Sequence, residues 1–198
     1  TILGIILGLL IPNEGDMMID GAQKISRRNL SAWRKKIGFV PQNVFLFEDT
    51  IMSNVAMRFN KSEIDIKRVQ IALKHSSLDK FVDTLKDGLN TIVGERGVRM
   101  SGGQIQRIAI ARALYDDPDV LIFDEATSAL DGLTEKAIID SIQTLSGHKT
   151  IIIVAHRINT IKSCDNILIM SGGRVVDQGS YNELVDRNKF FKNMTQVS

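Results

Sequence analysis

The chain has 198 residues, 43% hydrophobic and 24% charged, the balance of a globular domain long enough to bury its own core. Its 25 Lys and Arg against 23 Asp and Glu leave a net charge of +2. That is no basic field for nucleic acid and no acidic excess for a disordered tail. One cysteine, Cys164, closes no internal disulfide and fits a reducing compartment.

Thr1 opens directly into an apolar run, Ile2 to Ile11, about half the length of a bilayer crossing. No basic region precedes it, so it does not read as a signal peptide. Continuous apolarity without alternation predicts a helix buried on most sides, ended by Pro12-Asn13-Glu14-Gly15-Asp16. A start without Met reads as a piece of a longer chain. Met17 to Ile19 with Asp20-Gly21 predicts a short strand and its turn. Arg27 to Lys36 predicts a surface helix with Leu30 and Trp33 inward, and Ile37 to Val40 a strand closed by Pro41.

From Thr50 to Tyr115 strand signals thin out, and helical spacing appears over 62–75 and 77–87. Strands return at Val120–Phe123, Thr150–Ala155 and Ile167–Met170, each apolar enough for parallel strands covered on both faces. A helix over Leu133 to Leu145 separates the first two. Ser171-Gly172-Gly173 signals a hairpin turn. The alternation predicts an α/β core.

Four short motifs fall at strand ends or a helix start, where open α/β sheets bind ligands. Asp124-Glu125 follows a hydrophobic strand; the first carboxylate suits Mg²⁺ facing phosphates, and the second an attacking water. Taken singly, the pair reads as a solvated acidic turn. Met100-Ser101-Gly102-Gly103-Gln104 opens a helix: Ser101 is a competent N-cap, and the glycines leave N–H groups bare for an anion. Alone it is a capped helix start. Gln42, past the strand ending at Val40, can touch both metal and water. His156, past Ala155, can bond a γ-phosphate. Each of these alone reads as structural or surface.

Their order and spacing say more. MSGGQIQR, about a dozen residues, VLIFDEATSALD, then IIIVAHR resembles the nucleotide-binding domain of ABC ATPases over essentially all 198 residues. The resemblance implies a P-loop NTPase-like (RecA-like) α/β core with a mainly parallel sheet, over 1–49 and 116–198. A helical subdomain carrying the signature motif is inserted over 50–115. It implies that Ser101, Gly102, Gly103 and Gln104 grip the γ-phosphate of ATP bound to a second such domain, in a head-to-tail dimer. It makes Asp124 the Walker B carboxylate that holds Mg²⁺, with Gln42 contributing to the metal and the nucleotide. Glu125 becomes the catalytic glutamate, His156 the switch histidine, and Asp131 the end of the D-loop (Ser128 to Asp131).

Thr91 to Arg99 (TIVGERGVR) resembles the segment by which exporters meet a fused transmembrane domain. Asn29 to Phe47 is similar to exporter domains, including flippases of lipid-linked oligosaccharides. The implied place is the cytoplasmic face of the cell membrane. Two other readings stand beside it: a soluble ABC ATPase outside transport, and a degenerate module that only dimerises.

Two departures from the family pattern stand out. Ile105 replaces a usually polar residue. No GxxxxGK[ST] occurs in the chain, and Thr1 aligns with the residue directly after that motif, beside the nucleotide. The expectation is a domain lacking its first strands and phosphate cradle, and inactive alone. The opposite end, through Gly179 to Leu184, reads as complete.

Overall fold

Val120-Leu121-Ile122-Phe123 forms the middle of the main sheet because every side chain in it has somewhere apolar to go. In the computed structural model, β6 (Val120–Asp124) lies between β3 (Ile37–Val40) and β7 (Thr150–Val154). β3 and β6 run parallel in the register Ile37↔Val120 to Val40↔Phe123. Val40, Leu121, Ile122 and Phe123 are buried. The structure describes all residues except Arg96, 127–131, 133, 134, 137, 138, 141–146, 156, 157, 197 and 198, and the side chains at 158, 159 and 196. It divides into two compact units, Thr1–Ile152 and Ile153–Ser198.

In chain order the first unit contains α1 (Ile2–Ile6), the hairpin β1 (Met18–Ile19) and β2 (Gln23–Lys24), α2 (Leu30–Arg34), then β3. There follow β4 (Asp49–Thr50), α3 (Ile51–Ala56), α4 (Ile66–His75), α5 (Asp79–Asp83), β5 (Ile92–Val93) and α6 (Gly102–Leu114), before β6. Asp20 and Gly21 turn the first hairpin with φ of 52° and 67°, the positive values such a tight turn requires.

The expected buried helix over Ile2 to Ile11 is corrected. α1 stops at Ile6, and none of its residues is buried; Leu9 and Ile11 are 67% and 59% exposed. Gly8, at φ 67°, adopts the left-handed conformation; Gly8 N–H donates to Ile5 O and Leu9 N–H to Gly4 O, the paired closure that ends a helix. Apolar content predicted burial, but one glycine decided the helix length. As expected, Trp33 is buried; its Nε1–H donates to Ile6 O at 2.7 Å.

The helices of 51–115 share one core, in which Ile51, Val55, Val69, Leu73, Leu78 and Ile108 are all but inaccessible. Thr50 caps α3 by accepting from Ser53 N–H, and Asp65 caps α4 by accepting from Lys67 and Arg68 N–H. Two residues of the expected apolar spacing, Ile66 and Ile71, face solvent at 53% and 58% exposure, because the buried stripe of α4 runs through Val69, Ala72 and Leu73. A two-residue ladder also joins β4 to β5 antiparallel, in a stretch whose sequence carries little strand signal. α6 lies against β3 through Gly38: a Cβ there would stand 2.3 Å from Ala113 O and 2.8 Å from Pro118 Cγ. The helix expected over Leu133 to Leu145 falls largely outside the described residues; Glu135, Lys136, Ile139 and Asp140 are helical.

The second unit holds α7 (Ile158–Ile161), β8 (Ile167–Ser171), β9 (Arg174–Gly179), α8 (Tyr181–Arg187) and α9 (Lys189–Gln196). Gly172 and Gly173 turn β8 into β9 with positive φ, as the sequence predicts. β8 itself is a correction. Its antiparallel pairing with β9 is the hairpin the sequence signals, but the expected parallel, doubly covered strand is not there: Leu168 and Met170 are 53% and 42% exposed. Ile167, Leu184 and Phe191 form the small core. Among the described residues no helix is long and apolar enough to cross a membrane.

Carboxylates tie this unit together. Asp177 accepts from Asn188 Nδ2 and Arg187 Nη2, both at 2.8 Å, and Glu183 closes a capping box with Ser180 at the start of α8. The Asn188 bond foremost holds the Asp177 carboxyl below its ordinary value, and the Ser180 N–H does the same for Glu183. A carboxyl lowered in the folded state stabilises above its unfolded pKa and loses that contribution as pH falls through the folded one. Amides of β9 and α8 are therefore expected to exchange faster as pH drops below about 4, beyond the intrinsic rate change. Asp177→Asn should flatten that dependence, and an unchanged profile would contradict the account.

Candidate functional site

The register Val40↔Phe123 brings the carboxyl ends of β3 and β6 side by side. Gln42 therefore emerges next to Asp124 and Glu125. Gln42 Nε2–H donates to Glu125 Oε2 at 2.8 Å, across 83 residues of sequence. Glu125 leaves the strand with φ 51°, a backbone conformation that costs a branched or long side chain about 1 kcal/mol or more. Since Gln42 bonds Glu125 through nitrogen, its Oε1 remains an oxygen donor beside the partly exposed Asp124 carboxylate. Those hard oxygens fit Mg²⁺, which takes one or two carboxylates together with water and phosphate oxygens. No group of three His, Cys, Asp or Glu side chains suited to a metal occurs among the described residues, and a shared magnesium of that kind needs none.

The second group is built at the start of α6. Ser101 is the N-cap: its Oγ accepts from Gln104 N–H at 3.3 Å, while Ser101 N–H donates to Gln104 Oε1 at 2.9 Å. The cap uses the serine oxygen as an acceptor only, so its O–H proton stays available to an anion. Gly102 and Gly103 supply uncovered N–H groups at the positive end of a 13-residue helix. Gln104, by contrast, has its side-chain oxygen engaged in the cap. Ser101→Ala is expected to destabilise the first unit by about 1 kcal/mol, whereas Ser101→Asp keeps the cap. Urea unfolding of both variants checks this, and equal midpoints would sink it.

Three polar side chains inside the packed region went unassigned on sequence grounds. Gln106, 4% exposed, donates to Pro41 O at 3.5 Å. Arg112 donates from Nε to Asn54 O at 2.8 Å and from both terminal nitrogens to Phe45 O at 3.3 Å. Burial pushes its guanidinium below the usual range. Asn54 has no exposed surface; it accepts from Phe47 N–H and donates to Phe47 O, Asp49 O and Thr50 O. The available signal was polar residues set in helices whose other positions (Ile108 to Ala111 and Ala113 in α6; Ile51, Val55 and Ala56 in α3) are buried, since such groups must find partners.

Thr1 is exposed at the start of α1, where its carbonyl accepts from Ile5 N–H and its side chain makes no cap. Asp131 and His156 lie outside the described residues. Within Thr91 to Arg99, Gly94 holds φ 108° against the backbone of Glu48, and a Cβ on Gly97 would stand 2.4 Å from Ile92 O.

A family model described as ABC transporter matches residues 1–128. The chain belongs to the ABC transporter family. This ABC chain is 40% identical, over its full length, to an ATP-dependent lipid A-core flippase of Cupriavidus metallidurans, and covers 33% of that protein. It is 39% identical to a flippase of the same name from Francisella tularensis, covering 32% of it. It is 41% identical to a sophorolipid transporter of Starmerella bombicola, over 97% of the chain and 15% of the transporter. The chain thus spans about a third of the length of the flippases it matches. The solved structure of a bacterial Atm1-family ABC exporter with ATP bound superposes with a TM-score of 0.89 and 39% identity, over 100% of this chain and 35% of the exporter. The fold is that of an ABC exporter nucleotide-binding domain, an α/β P-loop NTPase fold.

Proposed function

We propose that the chain is the ATP-binding and ATP-hydrolysing domain of an ABC exporter, of the kind that flips lipids or lipid-linked oligosaccharides. The observation that carries it is the Gln42–Glu125 hydrogen bond across two adjacent strand ends, with Asp124 beside it. A carboxylate held by an amide at the end of a buried strand suits a water-positioning group facing phosphates. Asp124 and the free oxygen of Gln42 hold Mg²⁺. When bound, the ion neutralises charge on the phosphates. Glu125 orients the attacking water and accepts its proton. By resemblance to the family, His156 is given the γ-phosphate and Asp131, at the end of the D-loop, the opposite site. Thr1 lies beside the nucleotide.

Ser101, with the N–H groups of Gly102 and Gly103 and the amide of Gln104, completes the phosphate cage of a second domain packed head to tail. The α/β core over 1–49 and 116–198 carries the metal and water side, and the helical subdomain over 50–115 carries the signature. A transmembrane domain in the same polypeptide places this one on the cytoplasmic face of the membrane. The names of the flippase and sophorolipid relatives support a lipid cargo.

The test is phosphate release from ATP by the intact polypeptide, reconstituted in lipid, with and without Mg²⁺. Metal-dependent turnover is expected, together with none from the 198 residues alone, which hold no GxxxxGK[ST]. An intact polypeptide that neither binds nor hydrolyses ATP overturns the reading.

A further inference from the structure

The signature helix holds the loop between β3 and β4 by backbone oxygens on either side of Gln42. Gln106 takes Pro41 O, and Arg112 takes Phe45 O. Arg112 also reaches Asn54 O and Asn54 Oδ1 at 2.8 and 3.4 Å. Asn54 in turn clasps Phe47 at both its N–H and its C=O. The loop backbone is fixed from inside while its aromatic rings face out. Phe45 and Phe47 are 68% and 47% exposed and stack edge to face with centroids 5.4 Å apart.

A half-buried guanidinium met, among the described residues, by neutral oxygens is a costly way to fill space. A packed apolar side chain there would often be as stable or more so. Stability alone does not call for an arginine. What arginine supplies is a rigid fork that spans two elements at once. α6 is 13 residues, about 20 Å long, with the Ser101 cap at one end and this fork near the other.

We propose that Arg112 is a positioning residue: with Asn54 it clamps the loop carrying Gln42, Phe45 and Phe47 to the signature helix, so that displacement of α6 at its Ser101 end moves that loop. The clamp thereby links phosphate contact at the signature to the Gln42–Glu125 pair and to the exposed aromatic pair. The turnover arm of the test below rests on the proposed ATPase activity, and the exchange arm does not.

The test compares Arg112→Lys and Arg112→Met in the intact polypeptide. Lysine keeps the charge but cannot fork between Asn54 and Phe45, and methionine keeps packing only. Amide exchange over 43–48, which includes the Phe47 N–H held by Asn54, is expected to quicken about tenfold in both, while α6 and β6 amides change less than about twofold. Turnover should fall about fivefold in kcat with KM for ATP within about twofold, and more in the methionine variant than in the lysine one. Unchanged loop exchange, equal quickening in α6 and β6, or wild-type kcat in both variants overturns the clamp. Glu125→Gln in the same preparation separates the two ideas: if its turnover equals the parent's, that turnover does not run through the Gln42–Glu125 site, the role given to Glu125 falls, and the exchange data alone decide the clamp.

Discussion

An intact polypeptide carrying Glu125→Gln is expected to hydrolyse ATP about 10²- to 10⁴-fold more slowly than its parent, while still binding the nucleotide. The substitution is close to isosteric. Gln42 Nε2 can still donate to the new amide oxygen, as it does to Glu125 Oε2 at 2.8 Å, so the strand-end geometry survives. What disappears is an oxygen able to accept a proton from water. The loss should therefore fall on kcat and leave KM for ATP nearly unchanged, which marks an interaction made in the transition state. A non-turning-over domain should also accumulate as an ATP-bound dimer, detectable by size-exclusion chromatography with light scattering. Turnover within about threefold of the parent would remove Glu125 from the role assigned to it.

Gly38→Ala is expected to be the most damaging conservative substitution in the sheet, costing about 3 kcal/mol. Its Cβ would sit 2.3 Å from the carbonyl oxygen of Ala113, 2.8 Å from Pro118 and 2.9 Å from Leu121. The first of these is backbone in the last turn of α6 and cannot swing aside as a side-chain tip would. Relief requires α6 to withdraw from β3, and that carries the Ser101 cap and the Arg112 fork with it. Gly132→Ala supplies the control, since a Cβ there meets nothing within 4 Å among the described residues, in a helical segment. Urea titrations of the two variants should differ by most of the 3 kcal/mol, estimated as above. Equal midpoints would mean that the helix does not rest on the strand at Gly38.

Several elements could be read from local pattern because local chemistry decides them. β6 is unbroken apolar sequence and is buried; Ser101 and Gln104 spell a capping box; Gly172-Gly173 permits a tight hairpin. The elements that escaped did so for more than one reason. β4 and β5 are two residues each and exist only through one another. The run Ile2 to Ile11 has the composition of a core helix, yet Gly8 ends the helix and leaves its continuation in solvent. β8 has the residues of a doubly covered strand but pairs antiparallel, because a two-glycine turn returns the chain at once. The site divides in the same way. Gln42, Asp124 and Glu125 stand at strand ends that pattern alone could place, whereas the carbonyls of Pro41 and Phe45 that Gln106 and Arg112 seek are more than 60 positions away.

Glu125 sits in a backbone conformation that glycine would occupy without strain. A chain selected only for resistance to heat would drift toward glycine there, gaining about 1 kcal/mol, and would lose the carboxylate that the proposed function requires. On the role proposed for Glu125, the strain of that carboxylate at the tip of a buried strand is the cost of placing a water-positioning group there. Screens for sturdier forms of this domain should hold that position constant.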